Sequence, residues 1–346
     1  MESQIAPQKS PPWLASIRWK DLLKILLALV LIGLVFSRTN LRQIAALGNS
    51  LSWSWVAASF LLFLLMTALK GVQYWALLGH EVPYPQTVKI VVIQNALTNL
   101  VATTAGIASY LTLFRMEQNV KLSRSGIVFI ITKAGDLFSM CFFLFLSAWL
   151  VWDRVGALQR LVVLLLAGIF LALGIFWTVV FLRQKFVLQI RKVLHWLHLD
   201  RITVIERGLN TLQSLAEQDH KTVIRTLFLG LTLSLCYMTT TMAYAYCRIQ
   251  AFHIPIDFWA IIFITSLMQM VSLIPVQAFG GLGVTELTSL YLYQLFGIVQ
   301  VDIPAILIGL RVLFYLFNLA LMIYLPMDTF ITRLRSTYKK KIDRID

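Results

Sequence analysis

Six apolar stretches, at about 22–37, 53–78, 126–150, 159–182, 222–247 and 304–326, constrain this chain more than any motif in it. Each approaches the ~20 residues a helix needs to cross a hydrocarbon core, so each reads as a spanning helix. They recur along nearly the whole length and leave no room for a soluble catalytic domain. With 59% hydrophobic and 13% charged residues and a mean hydropathy of +0.78, the chain is too apolar to hide its surface in a water-soluble core. The expected organisation is one integral membrane domain over 21–330, between a disordered tail at 1–20 and a basic tail at 331–346. Cys141, Cys236 and Cys247 lie within apolar segments without paired spacing and read as packing residues.

Two further apolar stretches, 86–114 and 258–297, are interrupted in the middle. Asn95, Asn99, Thr103, Thr104 and Gly106 break the first, and Gln269, Pro275, Gln277 and Gly280 to Gly283 break the second. Both read as helical hairpins that enter and leave on one side, while length and parity alone also accommodate full spans. The placement of basic residues supports the hairpin reading. Lys and Arg concentrate in the N-terminal tail, at 115–125, across 183–225 and from Arg333 to Arg344, while the other loops carry few. Six spans with two returning hairpins put every rich segment, and both termini, on the cytoplasmic side. The net charge of +14 is therefore a topology signal. The run from Leu22 to Phe36 follows Arg18, Lys20 and Lys24 as a signal peptide would, but no small-x-small cleavage site follows, so an uncleaved first helix is expected.

This count makes 53–150 and 222–326 two units of helix, hairpin and helix in opposite orientations. The expected fold is all-α: a polytopic bundle of about six full spans plus two re-entrant hairpins in an inverted repeat, with broken helices meeting near the midplane. Between the units, 183–221 carries Phe186, Val187, Ile190, Leu194 and Leu197 at helical spacing among basic residues. It reads as a cytoplasmic amphipathic helix on anionic headgroups, not as a nucleic-acid patch.

Backbone that leaves the helix at membrane depth survives only when it is buried in protein or lines a wet cavity. In IPVQAFGGLGVTEL (274–287), Gln277, Gly280, Gly281 and Gly283 form such a break. The helix restarting near Val284 aims free N–H groups back into it, a seat for an anion. Glu286 in its first turn either caps that helix or has a functional role. Arg311 lies inside a span, where a charge costs ~2.5–3.5 kcal/mol, and needs a partner. Glu286 is the nearest acid in sequence, and the two form either a structural ion pair or a headgroup-binding or gating pair. Lys133 and Asp136, three apart, either satisfy each other or belong to the site. Asn95 and Asn99 share a helix face and either line the hairpin's cavity or bond across helices. His195 and His198 lack further ligands, and GGLG follows no strand. No nucleophile with its base, metal set, cofactor motif or phosphate loop is found, so no enzyme activity is expected.

The stretch PVQAFGGLGVTELTSLYLYQLFGI, followed by a span containing Arg311, resembles the transmembrane region of lysylphosphatidylglycerol synthases and their stand-alone, flippase-like relatives. Pro275, Gly281, Gly283, Glu286 and Arg311 match that family's pattern, and in the first unit Gly106, Arg115 and Asp136 match. Thr104, Ala105 and Ile107 depart from the family's usual proline and acidic residue. The resemblance runs from about 20 to 330, and the synthases' soluble transfer domain is not expected after it. It implies movement of a lipid or lipid-linked headgroup between leaflets of a prokaryotic plasma membrane, with an anionic or phosphate-bearing membrane lipid as ligand. The rival reading is a non-catalytic scaffold that docks an envelope-synthesis enzyme, such as a glycosyltransferase, on 183–221.

Overall fold

The computed structural model describes residues 51–100, 103–175, 178, 220–272, 284–298 and 303–323. Within these, every regular element is helical. The first three helices are α1 (Trp53–Leu77), α2 (Tyr84–Leu100) and α3 (Thr103–Gln118). Next come α4 (Leu122–Leu150) and, after a single helical turn at Trp152–Val155, α5 (Gln159–Ile175). The last four are α6 (His220–Ala251), α7 (Phe258–Ser272), α8 (Val284–Leu295) and α9 (Ile303–Met322). Four of them contain stretches long and apolar enough to cross a membrane: Trp53–Leu77, Leu122–Leu150, Val223–Ala251 and Ala305–Met322. The apolar α5 and α7 are shorter. The expected span at 22–37, the linker 183–219 and both tails lie outside the described residues.

Local chemistry fixes where the helices stop. After α8, Gly297 takes a positive φ of 81° and Ile298 N–H reaches back to the Tyr293 carbonyl at 3.1 Å, so the exposed carbonyls of the last turn find donors. The same reversal follows α3, where Asn119 has φ 53° and Val120 N–H donates to Phe114 O. Asp257 starts α7 as its N-cap, accepting the Ala260 N–H at 2.9 Å.

The helices assemble around an antiparallel pair, α1 against α6. Ser52 N–H donates to Ala251 O at one end, Phe63 packs on Tyr244 further in, and Gln73 reaches Ser234 near the other. The helix α4 lies along α6, and a Cβ on Gly135 would stand 2.7 Å from Ser234 Oγ, so only glycine admits this closeness.

Both broken stretches fold back on themselves. In the first hairpin, Gly106 of α3 meets Thr98 and Gln94 of α2, and Lys89 pairs with Glu117 at 3.7 Å. In the second, Phe263 of α7 stacks edge-on with Phe296, just past α8, and Ser289 of α8 touches Met268 of α7. Their open ends are anchored at opposite ends of α4. Arg124, in its first turn, pairs with Glu81 and donates to Leu78 O, just before α2. Arg154, just beyond its last turn, pairs with Asp257 before α7 and lies over the Phe296 ring after α8.

Candidate functional site

Among the described residues, two polar clusters sit inside this apolar bundle. The first joins α1, α4 and α6. Lys70 Nζ donates to both Asp136 oxygens at 2.8 Å and to Gln73 Oε1 at 2.9 Å, and lies 4.1 Å from the centre of the Tyr237 ring. Ser234 Oγ donates to Asp136 at 2.9 Å, while Gln73 Nε2 donates to Ser234 Oγ and to Gly230 O. Lys70, Gln73 and Ser234 are buried. A lysine and a carboxylate survive there because each is paired and bonded to further polar groups.

Lys133 and Asp136 do form an ion pair, at 3.9 Å, but the carboxylate is shared with a nearer lysine. Asp136 is held by Lys70, and Lys133 stands 3.9 Å away with half of its side chain exposed. Helical spacing brought Lys133 close, but α1 delivers a second ammonium with better geometry. Lys70 went unnoticed in the sequence although it carried the same signal as Arg311, a cation inside an apolar span. Cys236, expected to pack, is exposed, whereas Cys141 and Cys247 are buried.

The second cluster lies along α9. Glu286 falls in the first turn of α8, as its position after the glycines predicts, and its Oε1 lies 3.3 Å from Arg311 Nε with both side chains largely buried. The guanidinium also faces the rings of Phe314 and Tyr315. Two turns further along α9, the buried Asn318 accepts a hydrogen bond from Asn99 at 2.9 Å and donates to Phe314 O. Asn99 belongs to the last turn of α2 and Glu286 to the first turn of α8, so one helix holds the inner ends of both hairpins. Asn99 thus bonds across helices, and its neighbour Asn95 is half-buried. Gln277, Gly280, Gly281 and Gly283, expected in the second break, lie outside the described residues. Among the described residues, no three His, Cys, Asp or Glu side chains come together as a metal site.

A family model, described as the lysylphosphatidylglycerol synthase TM region, matches residues 22–321. The chain belongs to this family. No curated protein and no solved structure matches it. The region shared with the lysylphosphatidylglycerol synthase TM family takes in both polar clusters and both hairpins. This is a membrane protein of a family connected with lipid handling, and its buried ion pairs Lys70–Asp136 and Glu286–Arg311 fall within the family's own segment.

Proposed function

We propose that the protein moves an amphiphilic lipid, or the headgroup of a lipid-linked molecule, between the leaflets of a prokaryotic plasma membrane. Its two units work as an inverted repeat with two re-entrant hairpins, and N and C termini lie in the cytoplasm. The observation that carries this reading is the double anchorage on α9, where Glu286 meets Arg311 and Asn99 meets Asn318. Hairpins opening at opposite ends of α4 while leaning on one helix form a two-sided gate around a shared polar centre.

The packing supports a reciprocal arrangement. The helix α2 of the first unit lies on α9 of the second, α7 of the second lies on α4 of the first, and α1 and α6 run antiparallel between them. Exchange of contacts at Arg311 and Asn318 would open one hairpin while the other stays closed, the alternating access a headgroup needs.

The test is lipid translocation by purified protein in liposomes, comparing wild type with Arg311→Ala and Glu286→Gln. Both variants are expected to fold and to lose translocation. Wild-type rates in both would remove the pair from the mechanism.

A further inference from the structure

The first cluster carries an arithmetic surplus. It holds two ammonium groups, Lys70 and Lys133, and one carboxylate, Asp136. Lys70 takes both carboxylate oxygens at 2.8 Å, and Ser234 donates to the same group. For Lys133 there remains a separation of 3.9 Å, too long for a hydrogen bond. Lys133 lies eleven residues into α4, about 16 Å along the helix from Leu122, within a helix long and apolar enough to cross a membrane. Its side chain is 49% exposed. Its nearest aromatic is Phe129, 5.7 Å away, which packs on Tyr110 of α3, so the ammonium stands on the side of α4 flanked by the first hairpin. A half-open cation in an apolar span, held at 3.9 Å to a carboxylate it shares with Lys70, leaves room for an anion from outside the protein.

We infer that Lys133 is the contact for a phosphate group, and that Lys70 is a positioning residue that keeps Lys133 available by occupying Asp136. Every phospholipid brings a phosphate diester to the membrane, and a single ammonium with rotatable donors recognises it as a point charge. This rests on the translocation reading and adds to it the residue that holds the phosphate and the one that keeps it free to do so.

In Lys70→Met, Asp136 turns to Lys133 and the phosphate contact is lost, although residue 70 touches no ligand. In the double variant Lys70→Met/Asp136→Asn, no carboxylate remains to capture Lys133, and binding returns.

The experiment uses the full chain in maltoside detergent micelles, which contain no phosphate, and measures how strongly a spin-labelled phosphatidylglycerol, or a diacylglycerol lacking phosphate, is retained. Inorganic phosphate serves as a soluble competitor. Wild type is expected to prefer phosphatidylglycerol, with a loss of about tenfold in Lys133→Met and in Lys70→Met and recovery in Lys133→Arg and in the double variant. Displacement by inorganic phosphate assigns the site to soluble phosphate, and resistance assigns it to the lipid. Either keeps Lys133 as the contact. Wild-type retention in Lys133→Met overturns the inference, as does failure of the double variant to recover when Lys133→Arg does. Size-exclusion profiles identify any variant that misfolds. Translocation by Arg311→Ala separates the two claims: if it is lost while Lys133→Met behaves as wild type, the transport reading stands and this one falls.

Discussion

Lys70 and Asp136, sixty-six residues apart in sequence, meet inside the bundle with the ammonium 2.8 Å from each carboxylate oxygen. Removing one partner leaves the other largely buried without its best counter-charge. Lys70→Met is expected to destabilise the protein by about 3 kcal/mol, the lower end for a broken buried pair because Lys133 stands close enough to substitute in part. Lys70→Met/Asp136→Asn should cost less than the sum of the single changes. Thermal unfolding in detergent as a double-mutant cycle measures this, and additive costs would show that the two charges do not act as a pair.

Gly106 is where the arms of the first hairpin touch. A Cβ there would stand 1.8 Å from Thr98 Oγ1 and 2.9 Å from the Gln94 carbonyl, and the backbone atom has no rotamer in which to escape. Gly106→Ala should push α3 from α2 and cost about 1–3 kcal/mol. Cysteine cross-linking between the two arms reports it, since an unchanged yield would mean that they tolerate the methyl group.

Asn318→Leu removes the acceptor that holds Asn99 to α9. A hydrogen bond between membrane helices contributes on the order of 0.6 kcal/mol, so global stability should hardly move. The inner end of the first hairpin should loosen instead. Hydrogen exchange over the last turn of α2 is expected to quicken, and an unaltered rate would show that the asparagine pair does not secure that end.

Asp257 gives the bundle a pH response at one end. Burial pulls its carboxyl upward, but the Ala260 N–H, the Arg154 side chain and its charge, and the Trp259 N–H together hold it below the ordinary 3.8. A lowered folded-state pKa stabilises the fold above the unfolded value, and this contribution is lost as the pH falls through the folded one. With the side chain 41% exposed, solvent screens the effect and keeps it small. Asp257→Asn should therefore lower Tm at pH 7, with a deficit that shrinks as the pH falls below 3.8. A deficit that stays equal over this range would assign its role to shape and not to charge.

The sequence by itself determined what each segment is. Apolar runs marked the four described helices that are long enough to cross a membrane, and the glycines before Glu286 marked where α8 restarts. Arg311, stranded in a span, announced that it needed an acid, and Glu286 was the nearest in sequence. These are local matters, decided by how far a residue sits along its own helix and by the cost of leaving it unpaired in lipid. Only the tertiary structure decided who meets whom across helices. Nothing in the spacing of Lys133 and Asp136 says that Lys70 shares the carboxylate, because that depends on the depth and rotation of α1 against α4. Asn318 likewise gains its meaning only when the end of α2 arrives beside it. Pairing inside a bundle is set by the azimuth at which helices pack, and the small residues Gly135, Gly230 and Ser234 set that azimuth through contacts between segments far apart in the chain.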